Sequence, residues 1–256
     1  MSPDAHDLDL SIVIPIKDEE PNLLPLHDEV TRALEGTAIS YEIVIIDDGS
    51  EDGSFGVLQA MHARDPRVRV IRFTRNFGQT AAFAAGFAAA RGRHVATLDG
   101  DLQNDPADIP RLLALAARHD IVCGWRKRRH DTWLTRKVPS TVANWLIGLV
   151  SGTRIHDNGC SLKVFRTDIV KRLHLRPGMH RYLPALAVQL GNGLVEEVVN
   201  HRPRRFGRSK YGLSRTFRVL GDLVQLPALK RRAIDPHAPP LAIYDIAEVL
   251  EHAPQL

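Results

Sequence analysis

Asp99-Gly100-Asp101 sets two carboxylates two residues apart, and Gln103 continues the same alternation. Two carboxylates beside phosphate oxygens suit a hard divalent cation such as Mg²⁺, and the Gln103 amide oxygen can add a ligand. A cation there would act as a Lewis acid toward a departing diphosphate. A lone Asp-x-Asp is commonly a solvated turn. Here a second acidic loop, Asp47-Asp48-Gly49-Ser50, supports the metal reading. A carboxylate of Asp47 or Asp48 can accept the N–H groups of a uracil or guanine base. Either can equally serve the turn and cap the next helix. Arg75-Asn76-Phe77-Gly78-Gln79 forms a third polar loop. Arg75 suits nucleotide phosphates, and Asn76 and Gly78 with the following helix N-terminus suit a pocket wall. Further on, Arg202–Tyr211 reads RPRRFGRSKY, five cations in ten residues. Such a loop can close over phosphates, Arg through bidentate contacts and Lys as a compact charge.

The elements that must carry these groups alternate. Leu10–Ile16, Tyr41–Ile46, Val68–Phe73, His94–Leu98 and Asp120–Gly124 read as buried strands. Between them, Asn22–Leu34, Ser54–Arg64, Gln79–Ala90 and Pro106–His119 read as helices. Strand–helix alternation predicts a mostly parallel sheet covered on both faces. Ligands of such sheets sit beyond the carboxyl ends of the strands. The polar loops Lys17–Glu19, Asp47–Ser50, Arg75–Asn76 and Asp99–Gln103 all follow strands at that edge. After about Trp125 the rhythm breaks. Trp133–Val150 and Ser214–Leu226 read as amphipathic helices, and Cys160–Phe165 and Leu194–Val199 as strands. The tail from Ala233 holds four Pro with weak periodicity, and there is no internal repeat.

Composition narrows the classes. A chain of 256 residues, 44% hydrophobic and 25% charged, is long and apolar enough for one sizeable domain. Cys123 and Cys160 are too few for a disulfide framework and predict reduced, buried thiols in a cytoplasmic protein. The acidic start lacks a signal-peptide pattern, and no apolar run approaches the ~20 residues of a membrane span. No glycine-rich P-loop or dinucleotide fingerprint is present, which argues against kinase, ATPase and dehydrogenase classes. Net charge is +4, with acid concentrated in the first hundred residues and base later. The basic half predicts an anionic partner. Its cations lack the aromatic interleaving typical of a stacking platform, so nucleic acid is not the expected one.

Taken together, SIVIPIKDEEPNL, IVIIDDGSEDGS, RNFGQTAAFAAGF, TLDGDLQNDP, DNGCSLKVFR and RRFGRSKYGLSR resemble glycosyltransferase family 2. The similar branch is that of the polyprenyl-phosphate (undecaprenyl- or dolichyl-phosphate) glycosyltransferases. The RKRRHDTW and LQNDP segments are most similar to the enzymes that move modified arabinose in lipid A decoration.

The resemblance implies a GT-A nucleotide-diphospho-sugar transferase fold and inversion at the anomeric carbon, to which the residue pattern adds C-terminal amphipathic helices. It places Pro15, Glu19, Asp47 and Asp48 around the base, and Asp99, Asp101 and Gln103 on Mg²⁺ or Mn²⁺. It assigns Arg204, Ser209 and Lys210 to the donor diphosphate and Arg126, Arg136 and Ser140 to the acceptor phosphate. Asp157 matches a position near the sugar. Lys17-Asp18 replaces the usual Tyr-Asn, so base stacking at that point is not implied.

The expected division is a catalytic domain over 1–212, an interfacial helix over 213–232 and a tail over 233–256. Many relatives continue into transmembrane helices, so membrane contact here is expected to be peripheral, at the cytoplasmic face, or borrowed from a membrane-protein partner. A homo-oligomer stays open. The expected donor is a UDP-sugar, with GDP-mannose the alternative, and the expected acceptor is a polyprenyl phosphate. A phosphate monoester has its second pKa near ~6, so it is largely dianionic and needs no general base. A saccharide hydroxyl acceptor would need one. A non-catalytic nucleotide-sugar binding subunit is the reading from another class.

Overall fold

A computed structural model describes residues 7–127, 155–205, 234 and 243–252. Among them, eight strands form one sheet in the order β7-β5-β6-β4-β1-β2-β3-β8. The strands are β1 Leu8–Ile16, β2 Tyr41–Asp47, β3 Val68–Phe73, β4 Gly92–Thr97, β5 Ile121–Trp125, β6 Lys163–Arg166, β7 Leu194–Val198 and β8 Ile246–Leu250. The helices are α1 Glu20–Leu34, α2 Ser54–Arg64, α3 Gln79–Ala89, α4 Ile109–Ala116, α5 Thr167–Lys171 and α6 Leu183–Ala187.

The central four strands, β4-β1-β2-β3, are parallel. Strands β6 and β8 run antiparallel to their neighbours. The chain steps from β1 through β2 to β3, then returns to lay β4 on the other side of β1. That reversal opens a crevice at the carboxyl ends of β1, β2 and β4.

Alternation along each strand divides the core. Ile12, Ile14, Ile43 and Ile45 point to one side, with Leu23, Leu26, Leu58 and Leu112 of α1, α2 and α4. Val13, Val44 and Ile46 point to the other, with Phe83 and Phe87 of α3 and Leu183 and Leu186 of α6. Burying each such side chain contributes about 1.5–3 kcal/mol. Helix α3 is apolar nearly all round because it is covered on nearly every side. It also lies close to the sheet: a Cβ on Gly86 would sit 2.3 Å from a Val13 methyl. That contact fixes the height of the α3 N-terminus over the crevice.

Three segments differ from expectation. The helix predicted over Pro106–His119 divides into a 3₁₀ turn, Pro106–Asp108, and α4. Pro110 has no N–H to donate to the Pro106 carbonyl, so the first turn tightens onto Ile109 instead. The strand predicted to begin at Cys160 begins at Lys163, because Cys160 N–H closes a turn onto the Asp157 carbonyl. In the tail, residues 246–250 form β8 against β3, and Glu251 bonds Arg69 at 2.9 Å and Arg91 at 3.1 Å. No helix among the described residues is long and apolar enough to cross a membrane. Trp133–Val150 and Ser214–Leu226 lie outside the described residues.

Candidate active site

The strand-end loops enclose a cavity of about 330 Å³. From β1 it receives Pro15, Lys17 and Glu19, and from β2 it receives Asp48. From the β3 loop and α3 come Asn76, Gly78 and Gln79, and from β4 come Asp99, Gly100 and Asp101. His180, Arg181 and Arg204 complete the wall.

The two aspartates after β2 have separate jobs. Asp47 is fully buried, and its carboxylate accepts the Ser50 N–H at 2.8 Å, closing the turn. It does not line the cavity. Asp48 does, and it also accepts the N–H groups of Phe77 at 2.6 Å and Gly78 at 2.9 Å. Burial pushes its pKa up while those amides pull it down, and burial prevails. The β2 and β3 loops touch backbone to backbone. A Cβ on Gly49 would lie 2.4 Å from the Arg75 carbonyl carbon, and Gly49 has φ +67°. Only glycine satisfies both demands.

On the β1 loop, Lys17 donates to the Gly49 carbonyl at 2.7 Å and pairs with Glu51 at 3.2 Å. Partial burial lowers its pKa, but Glu51 and Asp18 raise it more. Glu19 accepts the Asn22 amide at 2.6 Å. Arg75 stands apart from the main cavity. Its guanidinium stacks on Phe77, 4.2 Å from the ring centre. It lines a neighbouring cavity of about 250 Å³ that Asn76 shares.

The acidic pair after β4 is held from three sides. Gln79 donates its amide to Asp99 Oδ1 at 2.8 Å. The Gln103 N–H bonds Asp101 Oδ1 at 3.1 Å, and Arg204 Nη2 bonds Asp101 Oδ2 at 2.6 Å. Leu102, between them, is buried and has φ +61°. A left-handed leucine costs roughly 1–2 kcal/mol, which the surrounding core tolerates to keep the pair at the cavity edge. Asp101 is pushed up to about 6 by burial and the Asp99 charge, with Arg204 opposing. Two like charges this close favour any cation that comes between them. The set of hard oxygens suits Mg²⁺ or Mn²⁺. Among the described residues no group of three or more His, Cys, Asp or Glu is gathered for a metal. Phosphate oxygens and water would therefore complete the shell. Gln103 is not part of the cavity wall. Its side-chain amide reaches the Arg202 carbonyl at 3.5 Å, because the turn at Leu102 directs it away.

Asp157 and Arg126 meet next to this cavity rather than in it. Arg126 Nε bonds Asp157 Oδ2 at 2.7 Å, and Nη2 bonds Oδ1 at 2.9 Å. Burial alone would lower the Arg126 pKa, but the fork onto Asp157 raises it further. Arg136, Ser140, Ser209 and Lys210 lie outside the described residues.

His180 and Arg181 were not singled out from sequence, and both line the cavity, as does Gln79 at the end of the third polar loop. His180 sits on the 3₁₀ turn Met179–Tyr182, with Nδ1 2.7 Å from the Thr80 hydroxyl. That hydroxyl also accepts the Gly178 N–H at 3.0 Å. The readable signal was a His-Arg pair set between residues that prove buried, Met179 and Tyr182.

Residues 11–173 match the family described as Glycosyl transferase family 2. The chain is 44% identical over 227 residues to dodecaprenyl-phosphate galacturonate synthase of Rhizobium johnstonii, covering 87% of this chain and 67% of that protein. It is 37% identical over 217 residues to undecaprenyl-phosphate 4-deoxy-4-formamido-L-arabinose transferase of Aeromonas hydrophila, covering 84% and 66%. The chain thus spans about two thirds of the length of these curated relatives. Among solved structures it is similar to glucosyl-3-phosphoglycerate synthase from Mycobacterium tuberculosis in complex with Mn²⁺, UDP-glucose and phosphoglyceric acid. There the TM-score is 0.61 at 16% identity, covering 89% of this chain and 77% of that one. At that identity the likeness concerns the fold.

Proposed function

The chain belongs to glycosyl transferase family 2, and from that membership we propose that it transfers a sugar from a nucleotide diphosphate sugar to a polyprenyl phosphate. Its fold is the GT-A nucleotide-diphospho-sugar transferase fold expected from the sequence. A UDP-sugar is the preferred donor, and the transfer inverts the anomeric carbon. The site of action is the inner face of the membrane, which the protein meets peripherally. The names of the two curated relatives, both polyprenyl-phosphate sugar transferases, support the acceptor. The observation that carries the reading is that Asp99, Asp101, Arg204 and the β1, β2 and β3 loops share one cavity.

In this reading Pro15, Glu19 and Asp48 line the nucleoside end, with Asn76 and Gly78 beside them. Asp47 shapes the loop from behind. Asp99 and Asp101 would hold Mg²⁺ or Mn²⁺, which would supply Lewis-acid charge to a diphosphate leaving group. An acceptor phosphate oxygen attacks the anomeric carbon while the bond from that carbon to the diphosphate breaks. The electron pair departs with the nucleoside diphosphate. No proton moves, since the attacking phosphate is already ionised near neutral pH.

What the protein must supply is positive charge for two anions brought together. Arg126 is suited to that, with Arg136 and Ser140 assigned beside it by resemblance. Asp157 is engaged by Arg126 at two oxygens, which supports a positioning role rather than that of a base. The rival acceptor, a saccharide hydroxyl, needs a free base. Asp48 is occupied by two amides and Asp101 by Arg204, which disfavours it.

The test is product analysis with purified protein, a UDP-sugar and Mn²⁺. A short polyprenyl phosphate should yield the glycosylated phosphodiester, while the matching polyprenol yields none. Transfer to polyprenol or a saccharide at equal rate contradicts the proposal.

A further inference from the structure

Arg204 and Gln79 hold the two aspartates of the acidic pair in chemically different ways. Gln79, the first residue of α3, gives Asp99 a neutral amide at 2.8 Å. That contact orients a carboxylate and leaves its charge for a metal. Arg204 gives Asp101 a full positive charge at 2.6 Å, on the oxygen not used by the Gln103 N–H. A guanidinium and a divalent ion repel each other and compete for the same oxygen. The chain just before Arg204 is anchored. Arg202 N–H donates to the Gln103 carbonyl at 2.8 Å, and its Nη2 donates to the Asn104 carbonyl at 2.8 Å and to Glu29 at 2.6 Å. His201 and Asn104 form a β-bridge. Any exchange of Arg204 on Asp101 would therefore fall to its own side-chain torsions, two residues beyond a fixed point. Arg204 and both aspartates line the same cavity.

We propose that Arg204 is an exchangeable positioning residue: without metal it holds Asp101 in place, and a divalent ion displaces it from that carboxylate toward the donor diphosphate. The inference rests on the proposed nucleotide-sugar reading of the site. It deepens that reading by coupling metal and donor through one side chain. The metal removes the partner of Arg204, and the diphosphate supplies a new one. Nucleotide should thus strengthen metal binding partly by stabilising the displaced arginine.

The experiment is Mn²⁺ binding to the purified chain, read as loss of the free-ion electron paramagnetic resonance signal, with and without UDP. Arg204→Gln should bind Mn²⁺ alone more tightly than wild type, by roughly three- to tenfold, because no competitor is displaced. Its gain in Mn²⁺ affinity on adding UDP should be smaller than that of wild type. Arg204→Lys, which restores a competing charge, should return both toward wild type. Gln79→Ala should do the opposite to Arg204→Gln and weaken Mn²⁺ binding by about 10–100-fold. Thermal unfolding of each variant separates these shifts from lost structure. Arg204→Gln binding Mn²⁺ no more tightly than wild type overturns the exchange while leaving the metal reading standing. Wild type that binds no Mn²⁺, with or without UDP, overturns both.

Discussion

Asp65 and Asp101 each pair with an arginine, the nearest N–O distances being 2.8 Å and 2.6 Å, yet they behave oppositely. Asp65 is held down to about 2. Burial pushes it up, but Arg67 contributes two side-chain bonds and an N–H, and His27 adds another contact. Asp101 is pushed up to about 6, because burial and Asp99 outweigh its single arginine. The first group is saturated with donors and ties α1, the turn after α2 and the start of β3 together. The second is left short of positive charge at the mouth of a cavity. An ion pair by itself says little about role. What matters is whether the acid's needs are met locally or left for a ligand.

The sharpest way to break this contrast is to neutralise each acid in turn. Asp99→Asn or Asp101→Asn should cut transfer by about 10²–10³-fold while the chain stays folded. Asp101→Asn should leave the thermal midpoint unchanged or raised, since it removes like-charge repulsion. Rate and thermal midpoint measured on the same sample decide it. A third pair, Asp157–Arg126, tests the intermediate case. Asp157→Asn should slow turnover by about 10–100-fold through a misplaced Arg126, with donor binding intact. Turnover at the uncatalysed level would make Asp157 an essential base.

Asp65→Asn should do the reverse of the cavity variants. It should lower unfolding free energy by about 2 kcal/mol in urea titration and leave activity per folded molecule within about twofold.

The smallest effect is the pH dependence, where the two acids have opposite signs. Asp65, with its folded pKa depressed from 3.8 to about 2, contributes stability fully above about pH 4 and loses it as pH falls toward 2. Asp101, raised from 3.8 to about 6, makes the folded state bind more protons than the unfolded one between those values. Its contribution therefore declines as pH rises through that window. Asp101→Asn should flatten the slope between about pH 4 and 6, and Asp65→Asn should flatten the acid limb below 4, in thermal unfolding scans.

The same contrast marks how far the sequence could be read. The parallel strands were legible because LSIVIPI and YEIVII are buried on both faces and leave no alternation to confuse. The loops that follow them were legible for the same reason, since a strand end fixes where its polar residues go. Strand β8 was not, because its five residues, IAEVL, form a short apolar run in a Pro-rich tail with no alternation to mark a strand, and four of them are exposed on an edge. The residues alone also left Asp47 and Asp48 interchangeable. Their separation depends on which one the neighbouring β3 loop reaches, a contact between distant segments. His180 and Arg181 enter the cavity from a turn packed on α3 through Thr80, which no local spacing announces. Gln103 continued the alternation in sequence, but the left-handed Leu102 breaks it in space.

The central claim is that Asp99 and Asp101 act through a divalent ion on a departing diphosphate. Its most direct test is transfer to polyprenyl phosphate by protein first stripped with excess chelator and then titrated with Mn²⁺. Transfer in chelator should fall below about a hundredth of the loaded enzyme's rate and return as free Mn²⁺ rises. Undiminished transfer in excess chelator would contradict it.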